Sequence, residues 1–209
     1  MKWTRIVTLI LASILLIAGL VALFARESIE NAYLNKKVDE ELQNYDKSNE
    51  EKDKSAKEEK SKKYFAIPKG KDKVAAKIEI PSADIKEPIY PGEATESQLE
   101  KGLAFVDKDE NMSDQNVSIA GHNYTDNRDS GFNHLHKIKK GDKIYISFKG
   151  EKSTYKLTQS KEVKPDESEV LEDDKSSKKD VITLITCEDY DSKSDKWLTR
   201  SVYTAEKVS

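Results

Sequence analysis

From Val74 onward the chain spends its apolar residues in short runs, each cut off by a turn signal, and that pattern limits the folds open to it. Val74-Ala75-Ala76-Lys77-Ile78-Glu79-Ile80 alternates toward its end and is closed by Pro81, which cannot donate to a ladder. Ile85 to Tyr90 reads as a second strand, ended by Pro91-Gly92. Thr95-Glu96-Ser97-Gln98 fits a capping box, with Thr95 as N-cap and Gln98 reaching back, so a short helix is expected to end near Gly102. Leu103 to Val106 and Val117 to Gly121 are the next apolar runs, the second delivering His122 at its end. Gly131 to Lys139 suggests a helical turn. Ile144 to Phe148 and Thr154 to Val163, on either side of Gly150, predict a hairpin. Val181 to Thr186 and Trp197 to Ala205 supply the last two strands. Many short strands, close turns and little helix predict an all-β domain over 74–209, a closed or nearly closed barrel.

The N-terminal third is of another kind. Residues 6–25 carry no charge and, at about 1.5 Å per residue, would span roughly 30 Å, the thickness of a bilayer core. Lys2 and Arg5 precede the run, which predicts a cytoplasmic N-terminus and a domain outside the cell membrane. A cleaved signal peptide is the competing reading. Its apolar region is usually only about 7–15 residues, and Leu23 and Ala25 are not the small pair a cleavage site needs, so 1–25 reads as a single-pass anchor in contact with membrane lipid. Residues 26–73 read as a charged, solvated stalk, partly helical or disordered, with Asn35 to Lys63 mostly Lys, Glu, Asp, Ser and Asn. Val38, Leu42 and Tyr45 hint at one helical stripe, too thin to build a core. A net charge of -3 without a basic face excludes a nucleic-acid partner.

The chemistry gathers around the single cysteine. Val181-Ile182-Thr183-Leu184-Ile185-Thr186 leads into Cys187, which is expected at a strand end, with Glu188, Asp189 and Asp191 in a solvated loop beyond it. A lone cysteine is commonly a small buried hydrophobe. With a distant histidine it is also a candidate nucleophile, the less common of the two fates. Acyl transfer by a thiol needs a nucleophile, a proton donor for the leaving amine and a group for the oxyanion, chemistries that Cys187, His122 and Arg200 supply. His134 and His136 lie in a polar turn with no partners suited to a zinc site, so they are not read as ligands.

Thr183-Leu184-Ile185-Thr186-Cys187 matches the TLxTC signature of sortases, Arg200 follows the cysteine at the spacing those enzymes use, and Ala120-Gly121-His122 matches their histidine segment. From about Lys73 to Ser209, Asp114-Gln115-Asn116 and Val163-Lys164-Pro165 included, the chain resembles the class A, housekeeping-type sortases of Gram-positive bacteria, the staphylococcal group most of all. The resemblance implies an eight-stranded sortase barrel and a cysteine transpeptidase. Such an enzyme cuts an LPXTG-type sorting signal of a surface protein between Thr and Gly, keeps the N-terminal part as a thioester, and passes it to the bridge amine of the peptidoglycan precursor lipid II. It implies Cys187 as nucleophile, His122 as proton donor and acceptor, and Arg200 at the oxyanion with the backbone N–H of Glu188. It further implies a groove for the signal lined by Ala120, Val170, Leu171, Thr183, Ile185 and Val202, with Trp197 in a bordering loop. Val106 stands where a smaller alanine is usual. The alternative is a catalytically silent, membrane-tethered binding module on the same barrel. A transpeptidase of the L,D type would carry His and Cys in one sequence block, which is absent here.

Asp107, Asp109, Glu110 and Asp114 form one acidic group, and Glu172, Asp173 and Asp174 a second. Alone they read as solvated loops, although carboxylates from two loops can clamp calcium. Members of the staphylococcal group bind calcium, and the resemblance implies Asp107, Glu110, Asp114, Asn116 and Asp173 as ligands of an activating, non-catalytic ion.

Overall fold

The computed structural model describes residues 26, 28–49, 66–68, 70, 72–124, 129–172 and 179–208. Eight strands close a barrel in the order β1-β2-β3-β4-β7-β8-β6-β5. They are β1 (Ala76–Ile80), β2 (Ile85–Tyr90), β3 (Leu103–Phe105), β4 (Asn116–Ala120), β5 (Lys143–Phe148), β6 (Glu151–Val163), β7 (Val181–Asp191) and β8 (Lys196–Lys207). Pairing is antiparallel except for β2 with β3 and β4 with β7, which run parallel. β1 against β5 completes the closure, which removes exposed sheet edges. Alternate residues point inward, so Ile78, Ile80, Ile89, Leu103, Phe105, Ile119, Ile144, Ile146, Ile182 and Leu184 form a dry interior. The expected barrel is present, with strand limits shifted by a few residues.

The helix Glu96–Leu99 starts at Thr95, as expected, but without a capping box. Thr95 makes no side-chain cap, and Gln98, 1% exposed, turns its amide to donate to the Pro91 carbonyl at 2.8 Å. A buried amide must find a partner, and the Pro91 carbonyl offers one inside.

Two further expectations change. β7 does not stop at Cys187 but runs to Asp191, pairing Glu188 with Thr199, Tyr190 with Trp197 and Asp191 with Lys196. Backbone ladder bonds tolerate the exposed charges there. The Tyr190 and Trp197 rings, 5.2 Å apart, hold the extension together, and the Asp191 carboxylate accepts from Lys193 N and Ser194 Oγ in the turn. Trp197 therefore sits on a strand, as the apolar pattern predicted, and not in the bordering loop that the resemblance implied.

The second change concerns the stalk. Residues 28–49 are helical, and the compact unit that holds the barrel begins at Val38 instead of Val74. Leu42 and Tyr45 are buried, 2% and 8% exposed. Tyr45 Oη accepts from Lys149 N at 3.0 Å and reaches the carbonyls of Ala75 and Ser147 at 3.2 and 3.1 Å. Lys77 pairs with Asp46 at 3.0 Å, and Tyr90 Oη donates to Glu41. The Tyr45 hydroxyl is held by backbone groups at the start of β1 and the end of β5, which a thin stripe can reach. Among the described residues no helix is long and apolar enough to cross a membrane, and the run at 6–25 lies outside them.

Candidate active site

Three neighbouring strands, β4, β7 and β8, build the site. Cys187 and Arg200 are direct partners across β7 and β8. Ala120 pairs with Ile185, so β4 and β7 lead in parallel toward His122 and Cys187, each two residues further along its strand direction. Gly121 N donates to Ile185 O at 3.1 Å, continuing the ladder past the end of β4. Gly121 is required by packing: a Cβ there would sit 2.4 Å from a Leu103 methyl and 2.7 Å from the Phe132 ring.

Cys187 is half-buried. Burial pushes its thiol above the ordinary value, the Arg200 guanidinium works against that rise, and the Glu188 carboxylate adds to it. Arg200 donates from Nη1 to Thr199 O at 3.0 Å, which fixes the guanidinium along its own strand. The His122 ring stands 5.2 Å from that of Tyr124. A cavity of about 530 Å³ opens beside it, lined by His122, Asn123, Tyr124, Tyr190, Trp197 and two glutamates, Glu96 and Glu100.

The residues assigned to a peptide groove fall one step behind the catalytic row. Ala120, Ile185 and Val202 are successive partners across β4, β7 and β8. Thr183 is one step further back, opposite Ser118 and Thr204. Thr183 and Val202 are each 1% exposed, and the Thr183 hydroxyl donates to Asn116 Oδ1 at 2.7 Å, so these two form a covered floor. Val170 and Leu171 belong to the 3₁₀ turn Ser168–Leu171, tied to this face where Asn116 Nδ2 donates to the Val170 and Glu172 carbonyls at 3.3 Å.

Asp107, Asp109, Glu110, Asp114, Asn116, Ser118, Val106 and Leu171 line one cavity of about 360 Å³. Glu110 accepts from Ser118 N at 2.6 Å and from Asp107 N at 3.2 Å, while burial pushes its carboxyl up to about 7. The Asp107 and Asp114 carboxylates accept from Asp109 N and Asn111 N. Ser118 Oγ is buried here without a hydrogen-bond partner. An all-oxygen set with an orphaned hydroxyl suits a hard cation. Asn116 has its carbonyl oxygen on Thr183, and among the described residues no three His, Cys, Asp or Glu side chains are gathered as a ligand set. Asp173 lies outside the described residues.

Residues 78–208 match the family model of the sortase domain. The chain is 42% identical over 208 residues to sortase A of Staphylococcus aureus, covering 99% of this chain and 98% of that one. The chain belongs to the sortase family. Its barrel is similar to the crystal structures of two further sortases. For Listeria monocytogenes sortase A the TM-score is 0.57, at 29% identity over 65% of this chain and 88% of that one. For Actinomyces oris sortase C-1 it is 0.56, at 28% identity over 64% and 73%. Sortases are cysteine transpeptidases of cell-wall sorting, acting on surface proteins and peptidoglycan precursors, and this one is of class A.

Two cross-links in this sortase escaped sequence reasoning. Asn123 Nδ2 donates to Cys187 O at 3.0 Å, joining the residue after the histidine to the backbone of the cysteine. The Thr186 hydroxyl donates to Gly121 O at 2.9 Å, so each residue preceding a catalytic candidate holds the other. Only the second had a visible signal, a threonine at the inward position of a strand.

Proposed function

We propose that this sortase cleaves an LPXTG-type sorting signal between Thr and Gly, and transfers the surface protein to an amine of a peptidoglycan precursor such as lipid II. The observation that carries the reading is the pairing of Cys187 with Arg200 across β7 and β8, with His122 two residues past the end of β4, the strand that runs parallel beside β7. The Cys187 thiolate attacks the Thr carbonyl carbon, and the C=O electron pair moves onto oxygen, where the Arg200 guanidinium meets it. Collapse breaks the Thr–Gly C–N bond. The leaving amine takes its proton from the protonated His122 imidazole, leaving a thioester on Cys187. The neutral imidazole then takes a proton from the incoming amine, which attacks the thioester and releases the thiolate. Ala120 and Ile185 with Val170 and Leu171 supply the apolar surface that Leu and Pro of the signal require, over a floor that includes Val202. Trp197 borders the site from β8.

Calcium, held by Asp107, Glu110 and Asp114 with support from Asn116 and the segment containing Asp173, would supply positive charge that draws the two acidic loops together. The apolar run 6–25 tethers the enzyme to the membrane, with the barrel outside. The test is incubation of the barrel domain with an LPXTG peptide and an oligoglycine amine, followed by mass spectrometry. A thioester on Cys187 and a Thr–Gly ligation product are expected. Cleavage at another bond, or no covalent intermediate, would refute the proposal.

A further inference from the structure

β2 places Ile85, Glu87 and Ile89 at alternate positions facing inward, at 6%, 5% and 0% exposure. A carboxyl group at a position that suits isoleucine is costly to bury, and among the described residues no cation shifts it. Burial pushes it up to about 8, so it is held as the neutral acid at pH 7. Glu87 Oε1 accepts from Gly131 N at 3.0 Å, and Oε2 is buried with no partner among the described residues. A group retained at such cost, for one hydrogen bond, points to what that bond holds.

It holds the segment that clasps His122. Gly131 lies at φ +63 and is pressed against His122: a Cβ there would sit 2.9 Å from the His122 carbonyl oxygen. The next residue, Phe132, donates from its backbone N to that same oxygen at 2.9 Å, and its ring is 1% exposed. Asn133 Oδ1 accepts from Tyr124 N at 2.7 Å. β4 ends at Ala120, so regular strand pairing does not extend to His122, and its backbone is fixed by the 131–133 segment instead. We propose that Glu87 is a positioning residue for the transpeptidation: through Gly131 and Phe132 it sets the place of His122 relative to Cys187. Glu87 touches no reacting atom. Its contribution is geometric, and misplacing a catalytic group by about 1 Å can cost on the order of 10²-fold in rate.

This inference rests on the proposed proton-transfer role of His122, and the experiment separates the two. Steady-state ligation is measured for Glu87→Met, which keeps length and loses the acceptor, and for Glu87→Gln, which keeps a carbonyl for Gly131 N. Gly131→Ala approaches the same clasp from its other side. The Met and Ala variants are expected to lose about 10-fold or more in kcat with the peptide KM unchanged, and Glu87→Gln to recover most of the rate. In a His122→Ala background, Glu87→Met is expected to have no further effect on the residual rate, because the group it positions is gone. The inference is overturned if Gln and Met variants lose equally, if Gly131→Ala and Glu87→Met both turn over as the parent does, or if Glu87→Met costs the same factor with and without His122. Should Glu87→Met not fold, the Gln and Gly131→Ala variants carry the same decision. Undiminished ligation by His122→Ala alone would instead remove the role of His122 on which the inference stands.

Discussion

Cys187 and Arg200 face each other as partners in the antiparallel ladder of β7 and β8, which puts the only thiol of the chain beside a permanent positive charge. The pairing is a property of the sheet, so neither residue depends on a loop for its position. The guanidinium opposes the rise that burial imposes on the thiol, while the Glu188 carboxylate reinforces that rise. The net direction is upward, so at neutral pH the resting enzyme holds a thiol and little thiolate.

The first prediction follows from that balance. Because the thiol ionises above its ordinary value, alkylation by iodoacetamide should be slow at pH 7 and climb with pH past the point where a free cysteine levels off. Arg200→Ala removes the opposing charge and should shift the profile to still higher pH, making alkylation at pH 8 slower than in the parent. Glu188→Gln should shift it to lower pH and speed alkylation. Pseudo-first-order rates across pH measure all three. A faster Arg200→Ala would contradict the assignment of its charge.

Replacement of the catalytic row should separate activity from folding. Cys187→Ala is expected to abolish peptide cleavage and ligation while the melting temperature stays close to the parent's. His122→Ala should lose about 10²–10⁴-fold in kcat, and Arg200→Ala roughly 10²–10³-fold. Arg200→Lys should recover only part, since an ammonium cannot reproduce the planar fork. Ligation of peptide by the Cys187→Ala protein would remove the nucleophile assignment.

Calcium is expected to act on peptide binding. Leu171 borders the acidic cavity, and its turn is tied through Asn116 to Thr183 in the groove floor. A cation that binds a closed arrangement of this wall better than an open one raises the closed population and with it the apparent affinity. Initial rates against peptide concentration should therefore show a lower KM with calcium than with a chelator, at similar kcat. Glu110→Ala or Asp114→Ala should weaken the difference. An effect confined to kcat would contradict closure, and identical curves would leave the cluster a solvated loop.

Short β-rich runs with Pro and Gly stops made the barrel legible, and the TLxTC and AGH segments singled out Cys187 and His122 before the parallel pairing of their strands was visible. Composition failed where backbone did the work. The extension of β7 past Cys187 is written in Glu188, Asp189 and Asp191, which read as a loop, yet its ladder bonds come from main-chain groups. Glu87 carried a readable signal, a carboxylate in step with Ile85 and Ile89, but nothing in the sequence locates Gly131 against it. Trp197 was placed by analogy in a loop, whereas its ring packs across the ladder on Tyr190.

The N-terminal helix gives the last prediction, because the burial of Leu42 and Tyr45 departs from the expectation of a solvated spacer over that stretch. Leu42 and Tyr45 are buried, and Tyr45 Oη meets three backbone groups, those of Ala75, Ser147 and Lys149, at the β1 and β5 ends. Tyr45→Phe removes one hydroxyl and leaves these groups short of a partner, which costs about 1–3 kcal/mol when they stay dry. Leu42→Ala should cost about 2–5 kcal/mol if the gap does not collapse. In a domain of this size each kcal/mol lowers the melting temperature by roughly 2–4 °C. A protein truncated to begin at Val74 should therefore melt clearly below one beginning at Arg26. Both substitutions should leave the kcat of the folded enzyme unchanged, since the hydrogen bonds of Tyr45 lie beside β1 and β5, away from Cys187 and Arg200. Thermal unfolding of the two truncations decides the matter: equal melting temperatures would return residues 38–49 to the role of a solvated stalk.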